Sequence, residues 1–531
     1  MVKPLLLLLC TVYPDAVIPE DSDEDFLYRI NYYLEHPVDI NTAGMNELLD
    51  IPFMSVEVAR EIIKLRKEEP FTSVDQLLLI EEVTPLMFIR LKPFFRVRRK
   101  KGPPPSGYTY LVKGIYPFPD TAYDWSPEKL YLRVNIRKKI DAGLVIEKDY
   151  YERNYFDYFS GYVSYRGFLF GNFDISEGLG LVFGRPGYFY RPAGFPETRR
   201  GILPHLSTFE SGYFSGIVFQ NRLITPFVSF AYLDATLNDS TFNHYTSGYH
   251  RTGTEMDKKN AVRETFVGAV LRYSGFTLAG GVPVYTSVGP TTSSYLPVIS
   301  ISLSHQLGGY TGIMEIGYSN GYTGGILIKT PIGLQVLYRY FTDDFKGLRT
   351  SPLAPEEGLY IYMERKVLEV KASGFIDFVR SDSGEYVFEG NIMGVWPVLK
   401  GTRLIVRWDG SRTRSGLRGE IVFRRRNKFI KLRLQGVSSG NERGYGGYIT
   451  AGIRGDLSVE FRYCIFTTPS FNSAIYFYEN NLPGEYSIIP LYGDGYRFYI
   501  LLREKNTGVY LRAGVTLKDR IQAKIGMAIS K

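Results

Sequence analysis

At 531 residues the chain exceeds what one compact core usually organises, so several units or one large closed sheet are expected. A composition that is 44% hydrophobic and 22% charged, with no run of 18 apolar residues, excludes both a bundle of membrane helices and a disordered chain. The formal net charge of +8 is unevenly placed: residues 21–101 hold 12 Lys and Arg against 15 Asp and Glu, so the rest of the chain is the basic part and would suit an anionic partner.

Lys3 followed by the apolar run Leu5 to Val12 reads as a secretory signal peptide over 1–16, ending near Ala16. Of the two cysteines, Cys10 falls in that segment and only Cys464 remains. One thiol makes no internal disulfide and no cysteine-rich metal site, so stability must come from burial and strand pairing.

Residues 22–95 carry helical spacing, with Val58, Ile62 and Leu65 on one face. Thr42 and Ser55 are N-cap candidates, Ser73 with Gln76 has the form of a capping box, and Thr84 precedes Pro85. Four short helices are therefore predicted. Asn41-Thr42-Ala43, Glu47-Leu48-Leu49, Ile51-Pro52, Ile62-Ile63, Pro70-Phe71, Ser73-Val74 and Leu91-Lys92-Pro93-Phe94 resemble the tandem helix-hairpin-helix domain of bacterial competence DNA receptors. In that family the hairpins carry Gly-x-Gly, because glycine lets backbone N–H groups come close to a phosphate. Here Phe53 and Ser55 occupy those places in the first hairpin, and Glu82 and Thr84 in the second. A phenylalanine obstructs that approach and a carboxylate repels the anion, so a docking or plug role is expected, with DNA binding as the alternative.

Residues 96–107 read as a linker, with the basic run Arg96, Arg98, Arg99, Lys100 and Lys101 ahead of Gly102 and Pro103 to Pro105. It is either a solvated flank or a contact for lipid phosphate or nucleic acid.

From 108 to 531 the period changes to two. Leu130, Leu132, Val134 and Ile136 alternate with polar neighbours, as do Leu404, Val406 and Trp408, and the pattern recurs to Ile529. Ser274-Gly275, Asn320-Gly321, Gly455-Asp456 and Asn506-Thr507-Gly508 are hairpin turns by composition. The fold class predicted is mainly β: a large antiparallel transmembrane β-barrel of about 20–26 strands behind a small all-α tandem helix-hairpin-helix domain. Long loops are expected at Arg185 to Thr208, Asn238 to Val262, Asp343 to Gly358 and Thr467 to Gly495. The C-terminal Ile529-Ser530-Lys531 lacks the aromatic last residue common in outer-membrane barrels.

Phe156-Asp157-Tyr158, Gly171-Asn172-Phe173, Gly178-Leu179-Gly180-Leu181, Asp234-Ala235-Thr236-Leu237 and Gly248-Tyr249-His250-Arg251-Thr252 resemble a family of poorly characterised bacterial outer-membrane proteins that join a helix-hairpin-helix domain to a barrel. The resemblance implies a barrel in the bacterial outer membrane, with the helical domain in the periplasm. It supplies no reaction.

If apolar residues face lipid, the lumen receives Arg133, Arg137, Arg403, Arg407, Arg418, Arg424, Lys431, Arg433, Arg462, Arg497, Arg503 and Arg512, with Glu420 and Glu460 among them. Such a surface either forms ionic ladders across strands or attracts a polyanion such as nucleic acid. No phosphate loop, metal-ligand spacing or nucleophile elbow is found, and the five histidines are scattered, so neither an enzyme, a metal nor a small-molecule cofactor is predicted. His250, Arg251 and Glu255 share a long loop that is either held by its own ion pairs or folded into the lumen. The partners expected are outer-membrane lipid and a periplasmic protein, with nucleic acid or another polyanion as the alternative. The role expected is a conduit or scaffold in surface transport or assembly, or DNA uptake in its place.

Overall fold

The structure is a computed structural model. It describes Tyr33 and residues 37–530, except 72–73, 81–82, 84, 98–106, 118–124, 138, 185–200, 209, 238–241, 288–293, 296, 308, 346–355, 368–369, 381–383, 400, 484, 486–487 and 519–520. The proposed signal segment, Ser73, Glu82, Thr84 and the basic residues Arg98, Arg99, Lys100 and Lys101 lie outside the described residues.

The helical unit holds α-helices Met45–Asp50, Val56–Glu68 and Pro85–Leu91, with 3-10 turns Val74–Leu79 and Lys92–Phe94. The third predicted helix is thus a 3-10 turn. Ser55 caps the longest helix, its hydroxyl accepting from the Val58 N–H at 3.2 Å. Thr42 does not cap. The Asp39 carbonyl accepts from the N–H groups of Thr42 and Ala43, which places Thr42 in a turn and moves the first helix start to Met45, behind Gly44. Asn41 holds the two hairpins together, donating to the Phe71 carbonyl at 2.8 Å and accepting from the Phe71 N–H at 2.7 Å. Leu48, Ile51, Val58, Ile62, Leu77, Leu91 and Phe94 are fully buried in one core, and Val38–Asp39 pairs in parallel with Phe95–Arg96 to join the unit's two ends.

The rest is a closed antiparallel barrel of 24 strands. Its first strand, Gly107–Pro117, pairs with its last, Ile521–Ser530, so no edge is left open. The period-two pattern sorts side chains to opposite faces. In Lys129–Arg137, Leu130 and Ile136 are exposed while Tyr131, Arg133 and Asn135 are buried. In Leu457–Thr468, Phe461, Tyr463 and Ile465 are exposed while Arg462, Cys464 and Phe466 are buried. Among the described residues no protein layer covers the outer apolar face, which is the arrangement of an outer-membrane-type barrel, where hydrocarbon is the solvent. No described helix is long and apolar enough to cross a membrane.

Turns such as 166–167, 274–275, 426–427 and 454–456 lie at one end, and long connections at 149–157, 177–213, 234–261 and 469–492 at the other. Ser274 and Gly275 take positive φ values, as the hairpin reading requires, and the Arg454-Gly455-Asp456 triplet is a turn. Asn320, with φ +63°, makes a tight turn at the long-connection end. The expected loops shift in their bounds. The connection after Phe168–Ser176 begins at Glu177 rather than Arg185, and Glu356 to Gly358 open the strand Glu356–Val367 instead of closing a loop. With an even number of strands, both barrel termini and the helical unit attach at the short-turn end.

Candidate functional site

The barrel interior receives most of the singled-out residues, and among the described residues two long connections pack against its wall. Arg133, Arg403, Arg433, Arg462 and Arg512 are buried, and Arg407, Arg418, Arg424 and Arg503 are half-buried on the same inner face. The Arg137 side chain lies outside the described residues. Carboxylates on the same or nearby strands answer several cations of the inner face. Glu420 accepts from Arg433 at 2.6 Å and pairs with Lys431 at 3.3 Å, Arg407 pairs with Asp409, and Arg339 makes a two-pronged pair with Asp377 at 3.0 Å. Arg462 donates to the Thr450 hydroxyl at 2.8 Å and to the Tyr478 carbonyl, and lies 4.0 Å from the Tyr448 ring centre. Arg503 lies over the Tyr510 ring.

The long connection after Leu457–Thr468 supplies further partners. It folds inward through the strand pair Ile475–Tyr478 and Ile488–Leu491, burying Ile475, Phe477 and Leu491 against Tyr448, Cys464 and Phe466. Its Glu479 sits between Arg497 and Arg512, the first pair two-pronged at 2.6 and 2.8 Å. Asn480 donates to both oxygens of Glu460, and Glu485 pairs with Lys113. Composition singled out the wall arginines but not these partners, because Glu479 is 18 residues from Arg497 and 33 from Arg512.

A second connection crosses the interior in the opposite chemical sense. Residues 177–183 lie on the inner wall, where buried Glu315 of the strand Tyr310–Ser319 accepts from the backbone N–H groups of Leu179 (2.6 Å), Leu181 (3.1 Å) and Val182 (3.3 Å) and from the Ser300 hydroxyl (2.7 Å). A Cβ at Gly178, whose φ is +59°, would stand 2.7 Å from the Glu315 carboxylate, so this close approach needs glycine. Leu179 and Leu181 pack with Leu327, Leu337 and Tyr360, Val182 and Phe183 with Phe214 and Phe266, and Glu177 pairs with Arg272.

At the long-connection end, His250 is buried between Asp157 (2.6 Å) and Asp234 (2.8 Å), and Lys259 reaches Asp157 at 2.7 Å. Burial works against a charged imidazole, but the bonds to Asp157 and Asp234 outweigh it and raise the His250 pKa to about 9. Burial, with Asp157 nearby, raises Glu152 to about 7; burial, with Glu152 and Asp149 nearby, raises Glu210 to about 10. Arg251 pairs with Glu255 at 3.0 Å, and Glu255 closes a capping box with Thr252. The loop is therefore held by its own ion pairs and also tied to the 149–157 connection. Glu152, Asp157 and His250 come within 4.8 Å of one another, as do Glu147, Asp149 and Glu210. Sequence spacing did not reveal this, since Asp157 and His250 are 93 residues apart. Both His250 nitrogens are already engaged by carboxylates, so a metal there would have to displace them. His205 forms a separate buried pair with Asp174, at 3.0 Å, and stacks on Tyr213.

In the helical unit, Phe53 takes φ +67°, the left-handed region that glycine takes easily. Its ring turns into the core, stacked on Phe94 at 6.5 Å with the Arg90 guanidinium 5.5 Å from its centre, and so does not stand in front of the hairpin backbone as the sequence reading supposed. Arg96 is exposed. The unit meets the barrel: Leu203 joins its core, and Arg90 lies close enough to Tyr362 and Glu364, near the short-turn end of Glu356–Val367, to act on both electrostatically.

Residues 35–96 match the sequence family described as helix-hairpin-helix motif. A comparison with curated proteins finds no match. Solved structures similar to this chain include the P pilus usher PapC translocation pore, at 8% identity over 80% of this chain and 98% of that chain with a TM-score of 0.37. The siderophore receptor PirA from Pseudomonas aeruginosa has 8% identity over 81% of each chain and a TM-score of 0.36. A porin covers 48% of this chain and all of its own, with 8% identity and a TM-score of 0.28. The chain's own strand pairing, not these distant likenesses, establishes the barrel. A helix-hairpin-helix domain joined to a 24-strand barrel is the architecture that the resemblance implied.

Proposed function

We propose that the protein is a non-catalytic conduit or scaffold in surface transport or assembly, set in the bacterial outer membrane, with its helix-hairpin-helix domain on the periplasmic side as a docking or plug element. The observation that carries this reading is that the helical core takes in Leu203, whose neighbour Ile202 accepts from Gln220 beside the short turn 166–167, and that Arg90 lies near Tyr362 and Glu364, at the end where the chain enters the barrel. A domain placed there is suited to closing the mouth or presenting it to a soluble partner. Inward folding of two long connections supports a path that opens by moving segments rather than a permanent pore. In planar bilayers the intact chain is expected to conduct little, and removal of residues 1–105 to raise the conductance. A truncated barrel that conducts no better than the whole would remove the plug reading.

The helix-hairpin-helix match supports a second reading, DNA uptake, in which the domain receives a strand. It predicts salt-dependent binding of duplex DNA by the full chain, and no binding at low ionic strength would end it.

A further inference from the structure

The wall made by Thr402–Ser411, Arg414–Arg425, Lys428–Ser439, Glu442–Ile453 and Leu457–Thr468 carries a depression of about 830 Å³ on its outer face. Register explains it. Leu417 pairs with Gly436, Gly436 with Tyr445, Gly419 with Leu434, and Leu434 with Gly447, so the outward rows place bare backbone between large side chains. A few residues further along the same strands, Ile421, Leu432, Ile449 and Tyr463 fill the outward positions. Local geometry does not demand glycine throughout. A Cβ on Gly419 would meet nothing within 4 Å, and one on Gly436 only the Tyr445 ring at 3.5 Å, an ordinary contact. Glycine inside a strand weakens it and marks places where something approaches the backbone closely. Gly447 is different, because its Cβ would press on the Arg433 carbonyl.

One charge stands at the rim. Arg443, two residues before Tyr445 and on the same outward row, is exposed at the long-connection end, and among the described residues its guanidinium has no hydrogen bond, ion pair or ring contact. A cation at the end of a lipid-facing row reaches the level of the headgroups. We propose that this depression binds an anionic phospholipid of the adjacent leaflet, one acyl chain lying over Gly419 and Gly436 and the uncompensated headgroup charge meeting Arg443. A second barrel would offer a convex wall ribbed with large side chains, which fits a depression poorly and brings no anion. A lipid supplies both the slender chain and the charge. The inference rests on the reading that this wall faces hydrocarbon.

Trp408 lines the depression and reports on it. In the full chain carrying Trp125→Phe and Trp396→Phe, Trp408 is the remaining tryptophan, and its quenching in detergent micelles is titrated with dibrominated phosphatidylglycerol or dibrominated phosphatidylcholine. The anionic lipid is expected to half-quench at a roughly tenfold lower concentration, the worth of one charge-assisted bond. Arg443→Gln should erase that difference, and Gly436→Leu should weaken quenching by both lipids. If Gly436→Leu does not fold, Gly419→Leu, with open space around its Cβ, takes its place. Equal curves for the two lipids, or a preference untouched by Arg443→Gln, would overturn the proposal. A chain that stays dissolved without detergent would instead overturn the hydrocarbon-facing reading beneath it.

Discussion

Two connections enter the barrel, and they are fixed by opposite divisions of labour. Along 177–183 the wall brings the charge, Glu315, and the connection brings only backbone N–H groups and apolar side chains. In the connection 469–492 the wall brings cations, Arg497, Arg512, Lys113 and Lys129, and the connection brings the carboxylates Glu479 and Glu485. The difference lies in what each contact costs to lose. A backbone N–H deprived of a carboxylate can still use a neutral acceptor at little cost, whereas a buried guanidinium deprived of its counter-ion keeps neutral acceptors but an uncompensated charge.

Glu479→Gln should therefore have the larger effect. It leaves two buried arginines without their anion, and a loss of about 3 kcal/mol is expected, read as a lower unfolding temperature and faster proteolysis within 469–492. Glu315→Gln keeps a carbonyl that can accept from Leu179 and Leu181, so a loss of only about 1 kcal/mol is expected in the same unfolding measurement. Equal losses, or a larger one at Glu315, would break the contrast. A pH series sharpens it, because the connections around His250 combine both kinds of contact. The His250 pKa is raised from 6.5 to about 9, so its contribution is complete below about pH 6.5 and is lost as pH rises through 9. Glu152 and Glu210 are raised as well, so their ionisation also penalises the folded loops as pH rises. Protection factors of the amides in 234–261 should fall between about pH 6.5 and 9, and protection unchanged up to pH 10 would contradict the pairing drawn here.

Much of the architecture was readable along the chain. The strand pairs that alternate Leu130 with Tyr131 or Phe461 with Arg462 need only a period of two, and a strand's two faces follow from its pleat. Ser55 before Val56 and the glycine-bearing hairpins obey local rules in the same way. The interior was less accessible. The cations on the wall could be counted, but their neutralisation depends on residues far away in sequence, and a carboxylate such as Glu479 looks like any loop glutamate until the loop is seen to turn inward. Gly178 to Leu181 belonged to a recognisable motif without a visible purpose, which is to lie against Glu315. Phe53 was misread because its ring direction depends on a left-handed backbone that residue type alone does not announce.

Taken alone, the order of residues decided that the chain makes a helical unit, then many strands with one greasy and one polar face, because both properties arise from neighbours three or four, or two, positions apart. Closure into 24 strands, the direction in which two long connections fold, and the partner found by each buried charge were decided in three dimensions. Those outcomes depend on which distant groups meet inside a low-dielectric interior, where an unpaired charge costs several kcal/mol and the fold must bring its counter-ion from wherever the chain can reach.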